Sequence, residues 1–332
     1  MPVALVTPEA LLNKSAAPYV DILRSGGFDI VYPDNPTFTR GLGTEEETIA
    51  QLSICDAVIA GGEHLTKRVI AAVPKLRVIS RLGVGFDTVN VPAATEHNIP
   101  VCITPNANYE CVAEQALAHM LAVAKSMHFF DREMRQGKWT RFLTVPLRGG
   151  TLGIVGLGRI GRALAVRAIA LGMKVIAYET YPNRAFLDEH AVELVELDSL
   201  LSQSDFVSVH CPANEETKGM FNQELFSKMK KGAFFINTAR GALVVEEDLA
   251  AALESGHLGG AGLDVFENEP TSADNPLFRF DNVSLTPHTG GEDSLASKMM
   301  GCEAAENIVK LYRGEWPEGA ALNNELRDSW KW

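Results

Sequence analysis

The 332-residue sequence has few cysteines, and the five that it has are scattered along the chain rather than paired. They are Cys55, Cys102, Cys111, Cys211 and Cys302, and no two of them form a CxxC motif. An odd set of separated thiols argues against a disulfide framework and is typical of a reducing compartment. We therefore expect a cytoplasmic protein in which these side chains are small buried hydrophobic groups, and no metal site is predicted.

The sequence also lacks long apolar runs and an excess of positive charge. No run approaches the roughly 20 residues of a membrane-spanning helix. The N-terminal MPVALVTPEALLNKS has neither the basic start nor the long apolar core of a signal peptide. The formal net charge is −12, which disfavours nucleic acid and anionic membranes as partners because both are bound by clustered basic residues. A local pocket for a small anion is compatible with this charge.

Short apolar runs alternate with helical patterns in two successive series, which predicts α/β units built on parallel sheets. The predicted strands of the first series are PVALVT, FDIVY, DAVIAG, RVISRL and IPVCIT, with a helix near Ser15 to Arg24. Those of the second series are TLGIVG, KVIAYE, FVSVHC, AFFINTA, GAGLDV and VSLTPH. Helices are predicted between them near Ile160 to Leu171, Asn222 to Met229 and Glu246 to Ser255.

Two helical stretches lie outside this alternation. Residues 108–130 predict one helix packed on several sides, and the irregular segment after it carries Trp139 and Phe142, which suit either an oligomer contact or packing within the chain. The stretch SLASKMMGCEAAENIVKLYRG has no strand of its own, so we expect it to pack on the first series and make that domain discontinuous. The predicted domains are 1–104 with 292–332, and 105–291.

The turn Gly156-Leu157-Gly158-Arg159-Ile160-Gly161 matches GxGxxG, between an apolar run and a helical pattern. In a βαβ unit such glycines permit a tight turn, approach of the backbone to a pyrophosphate, and close helix–strand packing. The helix start can then hold the phosphates. Glu179, which ends the next run, can accept hydrogen bonds from a ribose diol and disfavours the extra phosphate of NADP. NAD is therefore the predicted cofactor, although Arg184 could accommodate that phosphate.

Three stretches downstream also follow apolar runs: NTARG (237–241), GLDVFENEP (262–270) and TPHTGG (286–291). Parallel strands bring such stretches to one edge of a sheet, where ligands of α/β proteins bind. Arg240, Glu269 and His288 would supply a fixed cation, a carboxylate and a titratable imidazole at that edge. Beside a dinucleotide turn, this set predicts redox chemistry on a carbonyl or an alcohol.

Taken together, these motifs resemble the D-isomer-specific 2-hydroxyacid dehydrogenase family, closest to its D-3-phosphoglycerate dehydrogenase branch. The resemblance runs from about Ala57 to Asn323 and includes RLGVGFDTVNV (81–91), TPNANYECVAEQAL (104–117), GIVGLGRIG, VHCP (209–212), NTARG, LDVFENEP and TPHTGG. It implies two Rossmann-like domains, with an NAD-binding domain inserted into a discontinuous substrate-binding domain. It also implies a homodimer that forms through the region of the 108–130 helix and the segment after it.

The resemblance implies a role for each site residue. His288 would donate a proton to the keto oxygen while NADH delivers hydride, Glu269 would orient His288, and Arg240 would hold the substrate carboxylate and carbonyl. Cofactor contacts are implied for Gly156, Gly158, Arg159, Ile160, Gly161, Glu179, His210, Cys211, Pro212, Thr217, Thr238, Ala239, Arg240, Asp264, His288 and Gly290. Asp264 would receive the nicotinamide carboxamide. Substrate contacts are implied for Arg81, Asn108, Arg240, His288 and the backbone N–H groups of Gly83 and Val84, although packing explains Asn108 almost as well.

The substrate stays open at this point. Arg81 suits a phosphate group, but the loop AGGEHLT (60–66) lacks an arginine that the family places there, and Glu63 could repel a phosphate. Glyoxylate, hydroxypyruvate or another small 2-keto acid is the alternative to a phosphoglycerate. Formate oxidation is disfavoured, because the related formate dehydrogenases have glutamine where Glu269 stands. A different class is an NAD-sensing transcriptional corepressor, which shares the fold but carries flexible tails that are not evident here.

Overall fold

The structure is a computed structural model that describes residues 1–12, 16–35, 38 and 42–332. The chain divides into two compact units. Unit 1 comprises Met1–Asn108 and Gly291–Trp332, and unit 2 comprises Tyr109–Gly290. Unit 2 is therefore inserted into a discontinuous unit 1.

Unit 1 is built on a parallel sheet whose described strands lie in the order β2-β1-β3-β4-β5. These strands are β1 (Val3–Val6), β2 (Asp29–Val31), β3 (Ala57–Ala60), β4 (Val78–Arg81) and β5 (Val101–Cys102). The helices are α1 (Pro18–Ser25), α2 (Glu45–Leu52), α3 (Lys67–Ala72), α4 (Val91–Glu96) and α12 (Ser294–Tyr312). Thr44 begins α2 with a reciprocal cap, in which Thr44 and Glu47 each accept from the other's backbone N–H.

The long helix α12 completes the core of unit 1. Asp293 caps the N-terminus of α12, because its side chain accepts a hydrogen bond from the N–H of Ala296 at 2.6 Å. Ala304, Ile308 and Leu311 of α12 are fully buried in one cluster with residues of β1 and α1. The final helix therefore packs on elements of the first series of strands and helices.

Unit 2 is built on a second parallel sheet, with the described strands in the order β12-β11-β10-β9-β6-β7-β8. They are β6 (Thr151–Val155), β7 (Lys174–Tyr178), β8 (Glu193–Leu194), β9 (Phe206–Val209), β10 (Phe234–Asn237), β11 (Gly260–Leu263) and β12 (Val283–Leu285). The helices are α5 (Tyr109–Ala124), α6 (Met127–Arg135), α7 (Arg159–Ala170), α8 (Arg184–His190), α9 (Leu197–Gln203), α10 (Gln223–Lys228) and α11 (Glu246–Glu254). Two Rossmann-like α/β units with parallel sheets were predicted, and this fold class is confirmed.

The elements differ from the predicted ones in three places. The predicted helix over 108–130 is two helices, because Ser126 adopts a left-handed conformation with φ of 50° and separates α5 from α6. β8, α8 and α9 are additional elements between β7 and β9. The first predicted helix started near Ser15, which lies outside the described residues, and α1 is described from Pro18. In the described part of the chain, no helix is both long and apolar enough to cross a membrane.

Candidate active site

The predicted cofactor and catalytic residues of unit 2 lie at the carboxyl ends of its strands. Gly156 directly follows β6, Glu179 follows β7, and His210 follows β9. Thr238 and Asp264 follow β10 and β11 in the same way. Because the strands are parallel, these positions share one edge of the sheet, and β6 and β9 are the neighbours at which the strand order reverses. Ligands of open α/β sheets bind at such a reversal.

The glycine turn is packed too closely for any larger residue at two of its positions. Gly156 has φ of 97°, and a Cβ atom there would lie 2.7 Å from the backbone nitrogen of Cys211. A Cβ atom on Gly161 would overlap the carbonyl oxygen of Gly156. At Gly158, in contrast, an added Cβ atom would meet nothing within 4 Å. The turn is thus closed against the protein and open on the side of Gly158, where Arg159 begins α7, as a pyrophosphate site requires.

Glu179 is joined to this turn. Its carboxylate accepts the N–H of Leu157 at 2.7 Å and the N–H of Tyr181 at 2.8 Å. Each carboxylate oxygen thus has one protein donor and keeps acceptor capacity for a further group. The arrangement places an anion beside the second residue of the turn, where a ribose hydroxyl could donate to it.

Two buried polar atoms at the same edge have no hydrogen-bond partner among the described residues. They are Nδ1 of His210 and Oγ1 of Thr238. The other nitrogen of His210 contacts the hydroxyl of Ser208 at 2.8 Å, and burial lowers the pKa of His210 to about 4, so this imidazole is neutral. Buried polar groups are rarely left unpaired. Together with the open turn, these two atoms fit a polar ligand such as a dinucleotide at this edge.

Arg240 lies in the loop after β10. Hydrogen bonds from Asn237 at the end of β10 and a close backbone contact at Gly241 hold this loop in place. Asn237, which is 1 % exposed, donates from its amide to the Arg240 carbonyl at 2.9 Å and accepts the Ala239 N–H at 3.0 Å. The next residue, Gly241, is packed on the backbone of Phe266 so tightly that a Cβ atom would overlap it. The Phe266 N–H in turn donates to Glu269 at 2.8 Å. The loops that carry Arg240 and Glu269 are therefore locked together.

His288 and Glu269 form a hydrogen-bonded ion pair. Nδ1 of His288 lies 2.6 Å from Oε2 of Glu269. The hydrogen bond to Glu269 raises the pKa of His288, against burial and the repulsion of Arg240. The pKa of Glu269 is lowered, because hydrogen bonding and attraction from His288 outweigh burial, the largest single effect, which acts the other way. Since Nδ1 is engaged by Glu269, Nε2 is the nitrogen through which His288 can exchange a proton with a ligand.

Asp264 organises the loop that carries His288. Its carboxylate, 2 % exposed, accepts from the Thr286 hydroxyl at 2.6 Å, the Thr289 N–H at 2.9 Å and the Gly290 N–H at 2.7 Å. Three of about four acceptor sites are thus filled by the protein, which leaves one for a ligand such as a carboxamide. Gly290 is required here, because a Cβ atom would lie 2.7 Å from Asp264.

Six other predicted cofactor residues lie at this edge or in the loops that follow it. Arg159 and Ile160 form the first turn of α7, and Cys211 and Pro212 follow β9. Burial raises the pKa of Cys211 to about 11, so it is a neutral thiol. Thr217 lies farther along that loop and donates its hydroxyl to the Pro212 carbonyl at 2.7 Å. Ala239 is held by Asn237, as described above.

The predicted substrate-binding residues of unit 1 cluster around the end of β4. Gly83 has φ of 122°, but its N–H donates to the Thr104 hydroxyl at 2.8 Å, so this group already has a protein partner. Arg81 donates from Nε to the Gly85 carbonyl at 3.1 Å and braces the loop that contains Val84. Asn108 is 7 % exposed, and its side-chain oxygen has no hydrogen-bond partner among the described residues.

Glu63 differs from its predicted behaviour. It is 1 % exposed, and its carboxylate accepts from the Thr7 hydroxyl at 2.7 Å and the Gly61 N–H at 2.9 Å. Burial raises its pKa, while Thr7 and the charge of Arg81 oppose that rise. The expectation that Glu63 could face and repel a phosphate was wrong, because the carboxylate turns inward between the ends of β1 and β3.

Asn237, Thr286 and Thr104 are supporting residues that the sequence patterns did not single out. Each holds a loop of predicted site residues through one or two hydrogen bonds. All three lie inside motifs that were recognised, so their positions offered a signal. Their partners depend on contacts between different loops, and no local pattern encodes those contacts.

The chain is similar to known proteins along most of its length. Residues 117–290 match the family described as D-isomer specific 2-hydroxyacid dehydrogenase, NAD binding domain. A D-3-phosphoglycerate dehydrogenase of Archaeoglobus fulgidus is 37 % identical over 298 residues, which are 89 % of this chain and 55 % of that protein. A glyoxylate reductase of Korarchaeum cryptofilum is 40 % identical over 285 residues, or 84 % of this chain and 86 % of that protein.

A solved structure agrees with these sequence matches. The D-lactate dehydrogenase of Aquifex aeolicus, complexed with NAD and lactic acid, superposes with a TM-score of 0.81. Its sequence is 27 % identical, and the match covers 96 % of this chain and 98 % of that one. The chain spans only 55 % to 61 % of the length of several D-3-phosphoglycerate dehydrogenases that it matches.

Proposed function

The chain belongs to the D-isomer specific 2-hydroxyacid dehydrogenase family, and from this premise we propose that it interconverts a small D-2-hydroxy acid and its 2-keto acid with NAD. The observation that carries the proposal is the ion pair of His288 and Glu269, beside Arg240 and at the same sheet edge as the dinucleotide turn. In this assignment unit 2 binds the cofactor and supplies Arg240, Glu269 and His288, and unit 1 supplies further substrate contacts.

The proposed reaction needs one hydride and one proton. When bound, NADH supplies the hydride to the carbonyl carbon. His288 donates the proton to the carbonyl oxygen from Nε2, and in the reverse direction it accepts the proton from the hydroxyl. Glu269 fixes the ring through Nδ1 and favours its protonated form, as the raised pKa of His288 indicates.

Arg240 is assigned to the substrate carboxylate and carbonyl, because a guanidinium presents a planar fork of donors that matches a carboxylate. In unit 1 the proposed carboxylate donor is the Val84 N–H rather than that of Gly83, which Thr104 engages. The unpartnered oxygen of Asn108 supports a substrate contact for that residue as well. Arg81 is assigned to the support of this loop through Gly85.

The cofactor assignment to NAD rests on Glu179. A carboxylate that already accepts two N–H groups of the turn favours hydroxyl donors and disfavours a phosphate in the same place. Thr238, Asp264 and the glycine turn are assigned to the rest of the cofactor, with Asp264 as the acceptor for the carboxamide. This set follows from their common position at the carboxyl edge of the sheet.

The relatives named above differ in substrate class. A phosphoglycerate-type substrate is supported by the similarity to the Archaeoglobus enzyme, although the chain covers little more than half of it. A glyoxylate- or hydroxypyruvate-type substrate is supported by the Korarchaeum enzyme, which the chain covers almost to its full length. We place the second class first, because the loop over residues 60–66 offers no arginine for a phosphate.

We further propose that the protein acts as a homodimer in the cytoplasm. Helix α6 has no buried residue, and the segment after it exposes Trp139 at 77 % and Leu143 at 99 %. Helix α6 is joined to unit 2 by contacts such as the ion pair of Arg132 and Asp281 at 2.8 Å. A group of exposed apolar side chains in one segment suits contact with a second copy of the chain. The assignment to the cytoplasm rests on the five free cysteines.

The function is tested by NADH oxidation with a panel of acids that includes glyoxylate, hydroxypyruvate, phosphohydroxypyruvate and pyruvate. His288→Ala should lower kcat by about 10²- to 10⁴-fold, which is the usual contribution of a general acid. Arg240→Ala should raise the KM for the acid and leave NADH binding largely intact. Absence of turnover with every acid, or wild-type kcat in the His288 variant, would contradict the proposal.

A further inference from the structure

Another histidine of unit 2, His119, is 2 % exposed and lies on α5, which packs against β11 and β12 beside the loop that carries His288. Helix α5 approaches β11 at Gly262, where a Cβ atom would lie 2.5 Å from the Cβ atom of His119. This close approach lets the imidazole reach two residues at the end of β12. Nδ1 lies 3.0 Å from the Ser284 hydroxyl, and Nε2 lies 3.0 Å from the Thr286 hydroxyl.

The direction of each hydrogen bond follows from the single proton on Thr286. That hydroxyl lies 2.6 Å from the carboxylate of Asp264, which can only accept, so Thr286 donates to it. Thr286 must then accept from its other neighbours, Nε2 of His119 and the amide of Gln115 at 3.0 Å. His119 therefore carries its proton on Nε2, and Nδ1 accepts from Ser284. Burial lowers the pKa of His119, although Asp264 opposes the change, and this agrees with a neutral ring.

The bonds continue from Asp264 into the backbone on both sides of His288. The carboxylate accepts the N–H groups of Thr289 and Gly290, and the Asp264 carbonyl accepts the N–H of His288 at 2.7 Å. His288 has φ of 55°, a left-handed conformation that is unfavourable for a non-glycine residue and persists only when the surroundings enforce it. These hydrogen bonds are the enforcing contacts.

We propose that His119 is a positioning residue for His288, acting through Thr286 and Asp264. Its Nε2–H sets the direction of the Thr286 hydroxyl, which fixes Asp264 as the acceptor for the loop and thereby aligns His288 with Glu269. The expected effect of His119 on turnover rests on the proposed function. The effect of His119 on the alignment of His288 can be measured without a substrate.

The test compares two substitutions of His119 that differ in hydrogen bonding. His119→Leu removes both bonds, whereas His119→Gln keeps an N–H donor and an oxygen acceptor. The matched control is His257→Leu, because His257 is a partly buried histidine of unit 2 that is bonded to the Met229 carbonyl at 3.0 Å. Thermal unfolding of each variant measures the loss of stability separately.

The first readout is the pKa of His288, measured by NMR titration of the protein labelled at the histidine rings and assigned with a His288→Gln variant. Glu269, Arg240 and Asp264 are the charged groups that act on this ring. In His119→Leu the pKa of His288 should fall towards its ordinary value, because alignment with Glu269 weakens. In His119→Gln and His257→Leu it should stay near that of the wild type. If His119→Leu does not fold, Thr286→Val, which removes the linking hydroxyl, replaces it with the same expected fall.

The second readout is turnover. His119→Leu should lower kcat by about ten- to a hundredfold, since small displacements of a reacting group cost this much. His119→Gln should restore most of it. An unchanged pKa of His288 in His119→Leu, or an equal shift in His257→Leu, would overturn the proposal and leave His119 as a core residue. If the wild type turns over no acid, the proposed function fails while the titration still decides the role of His119.

Discussion

The peptide between Phe266 and Glu267 occupies the space that a Cβ atom on residue 241 would need, so Gly241 packs directly against this peptide. One glycine thereby joins the loop of Arg240 to the loop of Glu269, although 29 positions of the sequence separate these two side chains. One backbone contact therefore places both Arg240, the cation assigned to the substrate, and Glu269, the carboxylate that orients His288. Side-chain hydrogen bonds at Asn237 and Glu269 complete each loop.

Gly241→Ala should disturb both loops at once. The added methyl group overlaps the Phe266 carbonyl, so the backbone must shift, at a cost of about 1–3 kcal/mol. We expect a lower Tm, a higher KM for the acid and a lower kcat, measured by thermal unfolding and steady-state kinetics. Ala242→Ser, at the exposed neighbouring position, is the control and should change neither. A Gly241→Ala variant with wild-type kinetics would show that the contact is not needed.

Glu269→Gln should change the pH dependence of keto-acid reduction. Reduction needs protonated His288, so its rate is high below the pKa of His288 and falls as pH rises through that value. Glu269 raises this pKa, and its removal should move the alkaline fall to lower pH. The reverse reaction needs neutral His288, so its rise should move to lower pH as well. Glu267→Gln, in the same loop, should leave both profiles in place, and identical profiles for Glu269→Gln would refute the pairing.

Glu179→Ala should weaken the preference for NADH over NADPH. It removes the acceptor for the ribose hydroxyls and the negative charge that disfavours a phosphate, so the KM for NADH should rise by about ten- to a hundredfold. The KM for NADPH should fall or stay constant. Both are measured with one saturating acid, and Glu189→Ala, at an exposed position of α8, is the control. A wild-type enzyme that prefers NADPH would show that Glu179 has another role.

Trp139→Ser and Leu143→Ser should weaken self-association. These side chains are exposed beside the ring cluster of Phe129, Phe130 and Phe142, whose centroids lie 4.6 to 5.7 Å apart. Loss of apolar contact area should shift the dimer towards monomer in sedimentation velocity runs over a range of concentrations. Ile54→Ser, which replaces an exposed apolar residue of unit 1, is the control. A wild-type protein that sediments as a monomer would contradict the homodimer.

The strand ends and the glycine turn were predictable because each depends on a local pattern. An apolar run followed by a short polar motif locates the carboxyl end of a parallel strand, and this was enough to bring Gly156, Arg240 and His288 to one edge. The edge strand β8 is two residues long and only partly buried, so it left no apolar run to recognise.

Other features depend on contacts between distant segments, and the sequence does not reveal them. Glu63 resembles an exposed loop acid until Thr7 and Gly61 are seen to supply its donors. The break at Ser126 is a single left-handed residue inside a continuous helical pattern. The roles of His119 and Thr286 emerge only when α5, β11 and β12 are packed, because each bond joins residues that are far apart in sequence.

The insertion of unit 2 within unit 1 has a consequence for the order of folding during synthesis. Every strand and helix of unit 2 lies in one continuous segment, so it can fold as soon as that segment has left the ribosome. The sheet of unit 1 is translated first, yet its core lacks Ala304, Ile308 and Leu311 until α12 follows. The first-translated part of unit 1 therefore keeps an incompletely covered apolar surface until α12 has been made.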